Sequence, residues 1–184
     1  MNSTIGIDIA APADVVFRLA REVERWPQLL PHYVAARPLG PRSDDGRVLV
    51  AFVARRPLLP VLGLGLPVAW RALTWSEPAT RQLRFVHRGG ATAAMDVTWR
   101  IEDLGNGASR VEIEHAFQPR IPGWAWFVDR AFTRPIARRT LVTFRAIAEA
   151  LASPAEPASV ESAASVESAA SVESAAPAAT NPPA

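Results

Sequence analysis

The chain opens on an alternation. Ile5, Ile7 and Ile9 are separated by Gly6 and Asp8, the spacing of a strand covered on one face. Pro12 and Asp14 then favour a helix start, and Val16, Phe17, Leu19 and Ala20 form the apolar stripe of a helix over 13–22. A shorter helical piece is predicted over 24–30, interrupted at Pro27, whose ring and missing N–H oppose a helix interior. From residue 33 to 117 the hydrophobic period is two. Strands are expected over 33–39, 47–55, 67–76, 81–88, 92–103 and 109–118. Between them lie Ser43-Asp44-Asp45-Gly46, Glu77-Pro78-Ala79-Thr80, Gly89-Gly90 and Leu104-Gly105-Asn106-Gly107, all chemically suited to reversing the chain. Past Pro122 the period returns to helical. Trp124, Phe127, Val128, Ala131, Phe132, Leu141, Phe144, Ile147 and Leu151 then form one apolar face, with a kink expected at Pro135.

The order is one strand, two short helices, six strands and one long helix. A sheet of about seven antiparallel strands with one apolar face needs a cover, and the last helix is the only element large enough to supply it. The fold class expected is therefore α+β, a curved antiparallel sheet wrapped around a long C-terminal helix, with space enclosed between them. The domain is placed at 1–153. Beyond it Ser159-Val160-Glu161-Ser162-Ala163-Ala164 recurs at 165–170 and 171–176 among five prolines. That composition offers too little apolar surface to offset ordering entropy, so 154–184 is expected to be a disordered tail.

Composition narrows the chemistry. With no cysteine among 184 residues, disulfides, zinc thiolates, iron–sulfur clusters and a cysteine nucleophile are excluded. All 20 basic residues are arginine. Residues 1–153 carry those 20 against 14 acids, a net +6, and the tail carries four Glu, a net −4. The arginines are scattered through strands without motif or aromatic support, so no nucleic-acid partner is expected. The first ten residues alternate instead of forming a leader's apolar run, and the longest apolar stretch, 57–70, is broken by Pro60, Gly63, Gly65 and Pro67. A cytoplasmic location without a transmembrane span is expected.

Alternation also nominates a cavity lining. Leu83, Phe85 and His87 share one strand face, as do Met95, Val97, Trp99 and Ile101, and Val111, Ile113, His115 and Phe117. His87 and His115 therefore lie among apolar neighbours. Each serves either as a general acid/base or hydrogen-bond donor to a ligand carbonyl, or as a core histidine satisfied by backbone. Trp26, Tyr33, Trp70 and Trp99 join apolar area to a polar handle, which suits either a pocket wall or plain core. His32, His87 and His115 have no local metal-ligand spacing, so no metal is expected, and no motif implies a cofactor. Leu58, Leu59, Val61, Leu62, Leu64 and Leu66, with Arg130, Arg134 and Arg138 beside Trp124 and Trp126, suit either transient contact with an anionic membrane surface or a lid with a solvated helix face.

Two runs carry a resemblance. Ile7-Asp8-Ile9-Ala10-Ala11-Pro12-Ala13-Asp14-Val15-Val16-Phe17 and Val23-Glu24-Arg25-Trp26-Pro27-Gln28-Leu29-Leu30-Pro31-His32-Tyr33 resemble the opening of the polyketide cyclase/dehydrase and coenzyme Q-binding branches of the START-like (SRPBCC) superfamily. The likeness extends through Ala91-Thr92-Ala93-Ala94-Met95-Asp96-Val97-Thr98-Trp99-Arg100-Ile101 to the arginine-rich last helix. It implies the helix-grip fold and an apolar small-molecule ligand of polyketide, quinone or lipid type. The ligand-facing set it implies, with the alternation, is Trp26, Leu30, Tyr33, Trp70, Phe85, His87, Met95, Trp99 and His115, with His87 and His115 as candidates for catalysis. The cyclase branch places an arginine on the strand that here holds Trp70. The matching position falls near Ser76, and Arg71 lies on the opposite alternation. A binding or carrier module is therefore the first reading, and a polyketide cyclase, aromatase or dehydratase using general acid/base chemistry is the alternative.

Overall fold

The computed structural model describes residues 2–59, 64–90, 92–117, 126 and 128–153. Strand β1 (Asn2–Ile9) leads into helix α1 (Ala13–Arg21), a 3₁₀ turn (Val23–Arg25) and the short helix α2 (Trp26–Leu29). Six strands follow: β2 (Tyr33–Pro38), β3 (Val48–Leu59), β4 (Leu64–Glu77), β5 (Gln82–Gly90), β6 (Met95–Gly105) and β7 (Ala108–Phe117). A π-helical turn (Asp129–Thr133) then opens helix α3 (Arg134–Ala152). The seven strands form one antiparallel sheet in the order β1-β7-β6-β5-β4-β3-β2. Every connection from β2 to β7 joins neighbours, as short turns require, and α1 and α2 occupy the one long crossover, from β1 to β2. This is the helix-grip fold.

The local chemistry differs from the sequence reading at four places. Pro27 does not interrupt a helix. It occupies the first turn of α2, where its missing N–H would have no intrahelical partner anyway. Pro135 likewise stands in the first turn of α3. The expected kink is replaced by the π turn just before it, a wider coil in which the Arg134 N–H reaches the Asp129 carbonyl. The hairpin of β3 and β4 runs further than 47–55 and 67–76, pairing Arg56 with Leu66, Pro57 with Gly65 and Leu59 with Leu64, with a register shift after Pro57. Much of the expected 57–66 loop is thus strand, and 60–63 lies outside the described residues. Finally, Gly89-Gly90 belongs to β5, and the reversal into β6 is displaced to Thr92–Ala94, with Ala94 left-handed at φ 68°.

Gly90 explains that displacement. It pairs with Trp70 on β4 at φ 88°, and a Cβ there would lie 2.3 Å from the Ala69 carbonyl oxygen and 2.8 Å from the Trp70 Cα. Only a residue without a side chain permits that approach. Gly90→Ala is expected to destabilise the protein by about 1–3 kcal/mol, whereas Gly89→Ala, which meets nothing within 4 Å, should be nearly neutral. Melting both variants checks this; equal melting temperatures would contradict it.

The inner face of the sheet and one side of α3 bury a continuous core. Val50, Phe52, Leu83, Ile113 and Phe117 come from the sheet, Val16 and Ala20 from α1, and Leu141, Phe144 and Ala148 from α3. Of the helical face read from sequence, Val128, Leu141 and Phe144 are buried and Ile147 partly so. Leu151 is the exception at 63% exposed, although Ala152 beside it still packs against the core. Trp124, Phe127, the side chains of Ala131 and Phe132, and the segment 154–184 lie outside the described residues. Two polar ties fasten α3 to the first strand: Ser3 Oγ donates to Asp129 Oδ1 at 2.7 Å, and the Ala10 N–H donates to Glu149 Oε1 at 3.0 Å.

Candidate functional site

Between the concave face of the sheet and α3 is a cavity of about 80 Å³. Its floor is aromatic because inward positions of adjacent strands fall side by side. Phe52 on β3 is opposite Trp70 on β4, and their rings stack at 5.3 Å with planes 15° apart. On the far side of Trp70 the His87 imidazole lies at 6.0 Å and 14°. Three rings from three neighbouring strands thus lie nearly parallel. Trp26 also lines the cavity. Its indole lies 5.2–6.1 Å from Tyr33, Phe52, Phe85, Trp99 and Phe144, and its Nε1–H donates to the Ala20 carbonyl at 3.1 Å.

The polar groups on the wall are neutral. His87 Nδ1 is 2.6 Å from Thr92 Oγ1, a contact made by the displaced β5–β6 turn. Burial holds the His87 pKa down to about 3, with His115 adding repulsion. His115 is held near 4 by burial, against which the Asp129 carboxylate and the Ser3 backbone push upward. On the α3 side, His32 Nε2 is 2.8 Å from Thr140 Oγ1, and that hydroxyl donates to the Ile136 carbonyl at 2.9 Å. Burial raises the Tyr33 pKa, partly opposed by Thr140, and lowers that of His32 to about 4, helped by Arg139. At neutral pH all four rings are uncharged. Among the described residues no charged side chain lines the cavity.

Of the nine residues nominated from the sequence, Trp26, Tyr33, Trp70 and Phe85 line the cavity, and so do His87, Met95, Trp99 and His115. Leu30 does not. It is fully buried beneath α2 in the packed core, turned from the cavity because α2 ends one residue earlier and its backbone is extended. The strand position matched to a pocket arginine is polar but neutral, and Arg71 is exposed on the outer face. Phe52, Thr133 and Thr140 line the cavity without having been nominated. Phe52 was within reach of the same reasoning, since Val48, Val50, Phe52 and Ala54 alternate on β3. The two threonines were not, because a polar residue on a helix reads as its solvent side. Of the basic row, Arg130, Arg134 and Arg138 are all exposed, and Arg134 also pairs with Asp129, Nε to Oδ2 at 2.6 Å. Trp126 is exposed.

The family described as "Polyketide cyclase / dehydrase and lipid transport" matches residues 9–141. The chain belongs to that family. A curated relative is the granaticin polyketide synthase bifunctional cyclase/dehydratase of Streptomyces virginiae, 27% identical over 141 residues. The match covers 73% of this chain and 43% of the relative, so the chain spans less than half of that protein's length. Among solved structures, the di-domain ARO/CYC BexL from the BE-7585A biosynthetic pathway is 25% identical with a TM-score of 0.66, covering 84% of this chain and 48% of that one. The Zhui aromatase/cyclase from Streptomyces sp. R1128 shares the fold at 17% identity and a TM-score of 0.69, over 85% and 98% of the two chains. Family and fold thus agree with the likeness read from the opening residues. Among the described residues no helix is long and apolar enough to cross a membrane.

Proposed function

We propose that this family member binds a flat, largely apolar small molecule of aromatic-polyketide or quinone type in the cavity under α3, and holds it without turning it over. The observation that supports the reading is the wall itself: parallel ring faces from Phe52, Trp70 and His87, neutral polar groups, and no cation among the described lining residues. Ring faces attract another ring, and the missing cation withholds the fixed charge that would stabilise an enolate or alkoxide. The cavity as it stands is below the roughly 300–1,000 Å³ of sites for drug-sized ligands. Uptake therefore opens it, and the yielding wall is at Trp70, which is only partly buried and faces the bare backbone of Gly90.

Extraction of the purified protein with organic solvent, followed by mass spectrometry, tests the reading by naming what co-purifies. An apolar fluorescent probe supplies the second measurement. Trp70→Ala is expected to weaken probe binding about tenfold through loss of stacking area while leaving the protein folded. Unchanged binding by the folded variant would remove Trp70 from the site.

A second reading, cyclase or dehydratase, draws on the printed names of the relatives and on two uncharged imidazoles at the cavity, each able to move a proton. Poly-β-ketone substrates would decide. No regiospecific cyclised product above a protein-free control is expected. Product formed by the wild type and lost in His87→Ala or His115→Ala would make the protein an enzyme.

A further inference from the structure

Two cavity-lining residues each carry a buried polar atom that has no hydrogen-bond partner. His115 Nδ1 and Thr133 Oγ1 are both buried, on residues 6% and 8% exposed, and neither has a hydrogen-bond partner of ordinary geometry, the Ser3 backbone lying near enough to the His115 ring only to favour its protonated form. Both residues line the cavity. A buried polar atom left unpaired costs stability, and most are satisfied in native proteins, so each needs a reason.

For Thr133 the reason is the π turn. A helical threonine ordinarily donates to the carbonyl four residues back, and Thr140 and Thr143 do so, at 2.9 Å to Ile136 and 3.0 Å to Arg139. The residue four before Thr133 is Asp129, whose carbonyl bonds the Arg134 N–H five residues on, across the wider π-type turn. The wider turn thereby leaves the Thr133 hydroxyl without its usual partner. The turn itself is pinned: Asp129 accepts from Ser3 on β1 at one oxygen and from Arg134 at the other. An isolated π turn of this kind often marks a functional position. Here it frees one hydroxyl at the end of the cavity to which Asp129 holds β1, and His115 is the cross-strand partner of Ser3 on that strand.

We propose that Thr133 and His115 together anchor a ring hydroxyl, a phenol or enol, of the ligand. The assignment rests on the cavity being the ligand site and adds what that ligand must carry. A hydroxyl both donates and accepts, so it satisfies the threonine hydroxyl and a neutral imidazole nitrogen whichever tautomer the imidazole adopts. A hydrocarbon ring leaves both atoms orphaned. The site thus discriminates for a hydroxylated ring and against its unsubstituted or methylated counterpart, because discrimination is strongest where a buried polar group would go unpaired.

Isothermal titration with 2-naphthol and 2-methylnaphthalene, which differ by hydroxyl against methyl, tests this. The wild type is expected to bind 2-naphthol about tenfold more tightly. Thr133→Val, which keeps the shape and removes the hydroxyl, should erase most of that preference while leaving 2-methylnaphthalene affinity unchanged, and Thr133→Ser should retain it. His115→Leu should act as Thr133→Val does, but only the threonine variants preserve the packing closely enough to decide. Equal affinities in the wild type, or a Thr133→Val variant that weakens both compounds alike, would overturn the anchor and leave the cavity reading standing. Binding of neither compound would overturn the cavity reading and the anchor with it.

Discussion

Trp26→Ala is expected to be the most damaging single truncation in the protein, lowering stability by about 3–5 kcal/mol. The indole is 2% exposed, touches five other rings, and binds the Ala20 carbonyl inside α1. Its removal leaves a cavity that five large rings cannot collapse into without leaving their rotamers, and strips a fully buried carbonyl of its partner. Domains of this size are stable by only about 5–15 kcal/mol, so the melting temperature should fall by about 10 °C. Trp26→Phe keeps most of the ring area and loses the N–H, so it should fall between the two. Trp70→Ala is the necessary contrast. Trp70 is partly exposed and stacks on two rings, so its loss should cost binding more than stability. Urea denaturation of the three variants separates the roles. If Trp26→Ala and Trp70→Ala cost the same stability, the division between core anchor and cavity wall is wrong.

Both tryptophans read alike from sequence, and the reason bears on how much of such a site a sequence can disclose. Strand alternation says which residues share a face. It put Phe85, His87, Met95, Trp99 and His115 on the inner face, and all of them line the cavity. It does not say how far along a strand the helix cover reaches, which leaves Trp70 only partly buried, and it says nothing of Trp26, which stands on α2 and is buried among five rings. Helical residues were less legible still. Leu30 was drawn to the cavity by its place in a Pro-containing motif, but the extended backbone after α2 turns it into the core. Thr133 and Thr140 were missed because their polarity signals exposure unless the π turn is already known. A π turn has no local composition rule comparable to a glycine at a left-handed position. Pro135, two residues after it, was the only cue, and it was read as a kink. By contrast the antiparallel succession from β2 to β7 follows from turn chemistry, whereas no turn announces that β1 pairs with β7.

The polarity of the cavity also predicts a response to acid. His32, His87 and His115 are held below their usual pKa mainly by burial, to about 4, 3 and 4. The charged and titratable neighbours are Arg139 beside His32, His115 beside His87, and Asp129 with Arg134 beside His115, of which Asp129 alone favours protonation. In the unfolded chain each ring returns to about 6.5. Above that value neither state carries the extra proton, and the full stability is present. As the pH falls from about 6.5 towards 4, the unfolded chain takes up as many as three protons that the folded protein refuses, so stability is lost across that window. The slope approaches about 4 kcal/mol per pH unit for three groups, and between pH 6 and 5 the loss should be about 3 kcal/mol. That interval lies above the usual titration of exposed carboxylates, so the histidines dominate it. Urea denaturation at pH 7, 6 and 5 should show this fall, and His115→Gln should reduce the fall by about one third whatever its stability at pH 7. A stability that stays level from pH 7 to 5 would mean that the three rings are reached by water and protonate in the folded protein; two of them, His87 and His115, line the cavity, and a wall open to water in that way is not the dry aromatic cavity on which a ring ligand depends.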